Sequence, residues 1–210
     1  MAKLPLNSPL AGASGRIGNI VTYMSNGIQI VRVLPGRRKK NKLSTLQQLH
    51  IDSFKAQHTF ARSVKQSIIE KVWSHLTIPA GLNPYNYFIK CNSNAFGKTE
   101  HIEFPQLMTL SMGKLLPVAN LKIDVVNNKL SLSWTSKINY AYANAGDILT
   151  VALLINQTKL QVFDTSFKRS DGKAEIDLSE MNSVIAEGFI FWTAPNGKDF
   201  SRSDYWSCRK

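Results

Sequence analysis

The residues best suited to chemistry in this sequence are arginines and lysines clustered near its amino terminus. The chain carries 26 Lys and Arg against 14 Asp and Glu, a formal net charge of +12, and its first acidic residue is Asp52. Eight basic residues precede that position. The candidates for contacting an anion are Arg16, Arg32, Arg37, Arg38, Lys39, Lys40 and Lys42. This asymmetry predicts a polyanionic partner, with nucleic acid ranked before an acidic protein surface or anionic lipid.

The basic run at 37–42 has two interpretations. It could grip phosphates, in which case it would not read base sequence. It could also be a solvated loop that serves solubility. No aromatic residue interleaves the run, so stacking of unpaired bases is not predicted there.

Two segments come close to catalytic motifs, and both fail. Asn92–Thr99 resembles the end of a phosphate-binding P-loop, but Asn92 stands where glycine is needed, and Pro105 follows too soon for a helix. The segment 101–103 (His-Ile-Glu) imitates half of a deaminase motif whose Pro-Cys-x-x-Cys half is missing. We therefore expect no enzyme, no cofactor, no metal and no small-molecule substrate. A hydrolase built from distant residues is the remaining catalytic alternative.

The elements that position the basic residues begin with a hairpin. Residues 17–24 and 28–34 are rich in β-branched and apolar side chains, and Asn26-Gly27 between them favours a tight turn. The predicted cross-strand pairs are Ser25–Ile28, Tyr23–Ile30, Val21–Arg32, Thr22–Val31 and Ile20–Val33. Because both faces are fairly apolar, this ribbon must pack on a helix, join a larger sheet or dock on another subunit.

A helix should follow the basic loop. Ser44 and Gln47 have the spacing of a capping box, which predicts the helix start. Beyond them an apolar stripe recurs at helical spacing for some thirty residues, as one helix or two segments, at Leu46, Leu49, Ser53, Phe60, Val64, Ile68, Val72 and Leu76.

After Pro117 the period changes to the alternation of strands. About seven short strands are predicted, with a continuous apolar run at 148–155 that suits a central strand buried on both sides. Trp134 and Trp192 are expected to be core anchors. The predicted class is α+β: an N-terminal β-hairpin and long helix in a basic region, 1–104, followed by an immunoglobulin/fibronectin-III-like antiparallel β-sandwich, 105–210.

The whole pattern resembles an uncharacterised bacterial domain-of-unknown-function family of about this length. The resemblance lies in Ser14-Gly15-Arg16-Ile17-Gly18-Asn19, in Arg32-Val33-Leu34-Pro35, in the helix start Ser44-Thr45-Leu46-Gln47-Gln48, and near the end in Asn196-Gly197-Lys198-Asp199 and Ser203-Asp204-Tyr205. The family's usual Thr-Pro at the helix start and Trp in the first hairpin turn are missing. The resemblance implies the two-part architecture and supplies no activity.

Together these patterns predict a non-enzymatic structural or interaction protein, a subunit of a larger assembly such as a phage particle or envelope complex, with protein partners or self-assembly. The alternative is a nucleic-acid-binding protein that contacts phosphates through its basic N-terminal loop. No apolar run is long enough to span a membrane, and the opening residues lack the uninterrupted apolar core of a signal peptide. The default expectation is a cytoplasmic location with reduced cysteines, or a place in a virion or other assembly.

Overall fold

The alternating and helical periods of the sequence fold into three antiparallel sheets and a group of helices in a computed structural model. The structure describes residues 2–3, 8, 10–25, 27–36, 43–126, 128–136, 142–179 and 187–208. The fold is mixed α+β, as predicted. Among the described residues, no helix has the length and apolar character needed to cross a membrane.

The N-terminal sheet contains four strands in the order β1-β4-β3-β2. Their bounds are Ala2–Lys3 for β1, Gly15–Ile17 for β2, Ile20–Ser25 for β3 and Ile28–Val33 for β4. All five predicted hairpin pairs are confirmed, from Ser25–Ile28 to Ile20–Val33. Gly27 adopts φ +74°, which suits the predicted turn, although Asn26 lies outside the described residues.

The helical region begins at the predicted capping box. Helix α1 spans Thr45–Ser63, and the Ser44 hydroxyl and Gln47 side chain exchange hydrogen bonds with each other's backbone N–H. A π-helical turn at Lys65–Ile69 and a 3₁₀ turn at Trp73–His75 continue it, so the apolar stripe runs through three kinds of helix. Helix α2, Pro84–Asn92, then packs beside α1.

Seven strands are described beyond Pro117. Their bounds are Lys122–Val126 (β5), Lys129–Ser133 (β6), Ile148–Ile155 (β7), Lys159–Lys168 (β8), Lys173–Asp177 (β9), Glu187–Thr193 (β10) and Asp204–Ser207 (β11). They form a four-stranded sheet of order β11-β10-β7-β8 and a three-stranded sheet of order β5-β6-β9. This is a sandwich-like arrangement, because side chains of both sheets share one hydrophobic core.

The four-stranded sheet is the middle layer of the molecule. One of its faces contributes Ala152, Leu154, Phe189 and Phe191 to a core shared with the helical region. The other face packs on the three-stranded sheet through residues that include Trp192. β7 is therefore central and buried on both sides, as predicted.

The core between the two sheets contains the predicted tryptophan anchors and a buried ion pair. Trp134 and Trp192 are both buried, with ring centroids 5.3 Å apart. Arg169 donates from Nε to Asp147 Oδ2 at 3.0 Å, and its Nη2 donates to the Leu116 carbonyl at 2.9 Å. The guanidinium lies 4.6 Å from the Trp192 ring.

Buried polar side chains connect the helices to the sandwich. Trp73 Nε1 donates to the Leu110 carbonyl at 2.8 Å, and the Asn92 amide bonds to both backbone groups of Thr109. Asn92, which stands where a P-loop would need glycine, thus has a structural role through these buried hydrogen bonds. The core next to the helices contains residues from both sides of positions 104 and 105. The predicted division of the chain there stays a prediction.

Candidate functional site

Arg16 and Arg32, two of the predicted anion-binding residues, lie on the same face of the N-terminal sheet. Arg16 of β2 is opposite Val21 of β3, and Val21 is opposite Arg32 of β4. Residues directly opposite each other in antiparallel strands point to the same side. The two arginines therefore stand in one row, about 10 Å apart at the backbone, which is two strand spacings. Both are exposed.

Each of the two guanidinium groups is positioned by a neutral partner. Arg16 Nε donates to the Gly18 carbonyl at 2.9 Å, and Arg32 lies over the Tyr23 ring with its guanidinium carbon 5.6 Å from the ring centroid. A carbonyl and an aromatic ring hold a cation without cancelling its charge. Among the described residues, Nε is the one donor of the Arg16 guanidinium with a hydrogen-bond partner, so the others can face an anion.

In the described part of the chain, neither of these arginines forms an ion pair with a carboxylate. No Asp or Glu occurs in the first 51 residues, so the N-terminal sheet has none of its own. The ion pairs in the described part of the chain are Lys55–Asp52, Lys65–Glu70, Lys71–Asp164 and Arg169–Asp147. The face that carries Arg16 and Arg32, here called the arginine face, is thus a local concentration of positive charge.

The remaining candidates, Arg37, Arg38, Lys39, Lys40 and Lys42, lie outside the described residues. The described chain stops at Gly36, three residues after β4 ends, and resumes at Leu43. Their role as phosphate contacts stays a prediction.

The opposite face of the N-terminal sheet carries an apolar row. Ile17 pairs with Ile20, and Ile20 pairs with Val33, so the three side chains cross three strands on one side. They are 56%, 39% and 64% exposed. Among the described residues, the two hydrophobic cores of the molecule include none from this sheet. This apolar row resembles an interface more than a core, because three large aliphatic side chains there face solvent together.

A short loop at residues 10–13 is fastened to the same sheet. The buried Gln29 amide donates from Nε2 to the carbonyls of Leu10 and Ala13 at 2.6 and 2.8 Å, and its Oε1 accepts from Gly12 N–H at 2.7 Å. Thr22 Oγ1 donates to Ala13 as well. Buried hydrogen bonds from Gln29 and Thr22 thus hold the 10–13 loop against the sheet, next to the exposed apolar row.

Exposed apolar side chains continue at the start of α1. Leu46 and Leu49 lie on the predicted core stripe, but they are 61% and 41% exposed, and burial along the stripe begins only at Ser53. Phe54 is also more than half exposed. The first turns of α1 therefore extend past the body of the molecule with their apolar face uncovered by the described residues.

Tyr23 and Gln29 were not among the residues predicted to form the site. The predicted hairpin register could have indicated Tyr23. Arg32 is opposite Val21, so it is a diagonal neighbour of Tyr23 on the same face of the sheet. For Gln29 the sequence offers a weaker indication: it is a polar amide inside a strand of β-branched residues, where a side chain with a specific hydrogen-bonding role is expected.

Comparison with known proteins adds no relative. No protein-family model matches the chain, and no curated protein is significantly similar to it. The resemblance to an uncharacterised bacterial family therefore stays a prediction, and the geometry of the N-terminal sheet is the basis for a function.

Proposed function

We propose that the protein is a non-enzymatic structural or interaction protein that acts as a subunit of a larger assembly, for which a phage particle and an envelope complex are two candidates. The observation that carries the proposal is the N-terminal sheet, whose apolar row is exposed although both hydrophobic cores lie elsewhere among the described residues. A two-stranded or small sheet with an apolar face gains stability when another surface covers that face. Association with a second subunit would supply that cover.

The sandwich supports the same proposal. We infer an immunoglobulin/fibronectin-III-like module because its three-stranded sheet joins the first, second and fifth strands, and its other sheet joins the third, fourth, sixth and seventh. In that class two antiparallel sheets share an inner core and are linked by strands that cross between them. The class serves as a structural and interaction module in many contexts, so it favours assembly without specifying a partner.

The test is the oligomeric state of the full chain. Size-exclusion chromatography with light scattering should give species larger than the 23.5 kDa monomer as concentration rises. High salt should favour association, because it screens the positive charge of the N-terminal region. The double variant Ile20→Lys/Val33→Lys should stay monomeric. Ser131→Lys/Ser133→Lys, on the exposed face of β6, is the matched control. A monomer at every concentration, for both wild type and variant, would contradict the proposal.

A second candidate function is nucleic-acid binding through phosphate contacts. The arginine face favours it, because two guanidinium groups share one row and no carboxylate occurs in their part of the chain. Together with the predicted contacts at 37–42, this row would follow a polyanion backbone and carry no sequence preference.

Salt dependence of binding to a labelled DNA duplex tests the second function. Each phosphate contact should contribute roughly −0.9 to the slope of log affinity against log salt. Arg16→Gln/Arg32→Gln should therefore make that slope shallower by about two contacts, and Ala at 37–40 should abolish binding. Lys159→Gln/Lys173→Gln removes the same charge from the sandwich as a control. Equal slopes for the arginine variant and wild type would refute the role of the arginine face.

A further inference from the structure

An open seam lies along one side of the sandwich, between the edge strands β5 and β11. It is a groove of about 800 Å³. Leu121, Ile123 and Val125 line it from the β5 side, and Trp206 and Cys208 line it from the β11 side. The N-terminal sheet takes no part in it, so the seam is a surface independent of the apolar row.

The side chains that β5 contributes to the seam are apolar but partly exposed to solvent. Ile123 and Val125 point into the sandwich but are only half-buried, whereas Leu130 and Leu132 on the neighbouring strand are fully buried. Among the described strands, β5 pairs only with β6, so its outer backbone edge has no strand beside it. An exposed edge of this kind is a template for another strand.

A buried donor without an acceptor lies at the same seam. Trp206 is only 6% exposed, and in the described structure its Nε1–H has no hydrogen-bond partner. Its ring packs on the backbone of Gly188, where an added Cβ would come within 2.9 Å of Trp206 Cζ2. A buried indole N–H normally finds an acceptor, and Trp206 is one of the residues that line the seam.

The charges at the seam are opposite in sign to those of the chain as a whole. Asp124 and Asp204 are the charged residues among those that line it, in a chain of net charge +12. Burial raises the pKa of the Asp204 carboxyl, although the Val118 N–H and nearby Arg202 oppose that shift. A partner with a basic side chain would match these two carboxylates.

We propose that the seam binds an extended strand of a partner protein, which pairs with the outer edge of β5, inserts alternate apolar side chains toward Ile123 and Trp206, and presents a Lys or Arg to Asp124 and Asp204. Such strand addition obtains affinity from main-chain hydrogen bonds and specificity from alternate side chains. The inference rests on the proposed function as an assembly subunit, but it assigns a different surface to the partner.

The native thiol of Cys208 allows a direct test, because it lines the seam and is exposed. In a Cys91→Ser background it is the single cysteine of the chain. The protein is equilibrated under mild reductant with ten-residue peptides whose single cysteine is supplied as a mixed disulfide with cysteamine. Capture is then a thiol–disulfide exchange, in which the Cys208 thiolate bonds to the peptide sulfur and cysteamine leaves as the thiol. One set alternates Val and Thr around a single Lys, and the other has the same composition shuffled to a helical period. We expect several-fold preferential disulfide capture of the alternating set.

Two readouts locate the captured peptide. The Trp206 Nε1–H resonance should shift because a bound strand changes the surroundings of the indole ring, and the β5 amides should exchange more slowly with solvent. Ile123→Gln should remove the preference, while Val126→Gln, on the exposed face of the same strand, should leave it intact because it adds no charge beside Asp124. The tryptophan near-ultraviolet circular dichroism of each variant checks that the core is folded.

Equal capture of both peptide sets, or capture without change at Trp206 and β5, would overturn the strand proposal. These results are separate from those of the chromatography experiment. A chain that stays monomeric yet captures alternating peptides would refute assembly through the apolar row alone. A chain that assembles without selective capture would refute the seam alone.

Discussion

Neutralising Asp147 should destabilise the protein by leaving a charged guanidinium buried in the sandwich. Arg169 is 4% exposed and Asp147 is fully buried, and they form the one ion pair in the described chain with both partners in the interior. Burial lowers the pKa of the Arg169 guanidinium, while the Asp147 carboxylate opposes that shift. An arginine stays protonated even so, and its charge needs compensation.

The substitution Asp147→Asn removes the negative charge while keeping an oxygen that can accept the same hydrogen bonds. The amide oxygen can still accept from Arg169 Nε and from Asn144 N–H, which both reach Oδ2 at 3.0 Å in the wild type. Removing one partner of a buried pair costs about 3–5 kcal/mol. We expect the lower end, about 3 kcal/mol, because Leu116 and Trp192 continue to contact the guanidinium. For a chain of this size that corresponds to roughly 6–12 °C in Tm.

The assay is urea unfolding followed by tryptophan fluorescence, with the midpoint compared at constant slope. Asp147→Asn/Arg169→Met should recover at least half of the loss, because it removes the uncompensated charge and keeps an apolar stem of similar length. Glu70→Gln breaks the exposed pair with Lys65 and should change stability by less than about 0.5 kcal/mol. A single variant within about 1 kcal/mol of wild type, or a double variant less stable than the single, would refute the reasoning.

Three further substitutions test other parts of the structure. Gln29→Leu should cost about 1–3 kcal/mol and speed hydrogen exchange at Gly12, since it removes three hydrogen bonds to the loop; unchanged exchange would contradict the anchoring role. Asp204→Asn should stabilise the protein near neutral pH, and the gain should vanish at acid pH. Because the Asp204 pKa is raised in the folded state, the folded wild type binds more protons than the unfolded chain and loses stability as pH rises through that pKa. A stability difference between Asp204→Asn and wild type that does not change with pH would contradict this prediction. Gly188→Ala should cost at least about 2 kcal/mol, because a Cβ there would approach the Ala152 carbonyl to 2.6 Å, whereas Gly36→Ala meets open space and should be neutral by the same unfolding assay.

The N-terminal hairpin was predictable to the residue because two local rules agree there. The Asn-Gly turn and the two-residue period fix one register, and a slip of one residue would turn every side chain to the other face. The same register placed Arg32 opposite Val21. Arg16 could not be added to the row, since β2 has three residues and its pairing depends on a turn of Gly18 and Asn19.

The start of α1 was predicted by its cap, but its surroundings were not. Leu46 and Leu49 fit the helical spacing of the core stripe. That spacing of apolar residues predicts which side of a helix is apolar. Whether another element reaches that side is decided by tertiary packing, which in this chain begins to cover the stripe at Ser53. The packing of helices on the four-stranded sheet was unforeseen for the same reason.

The middle layer of the molecule limits how the chain can be divided. Phe189 and Phe191 rest under helical residues such as Trp73, while Trp192 on the reverse side belongs to the sandwich interior. A fragment that begins at residue 105 would present those phenylalanines to water and should aggregate or melt early. Anyone excising the β-rich half for biophysical work should therefore retain the helices from Leu43 onward, and should expect both halves to unfold in a single cooperative step.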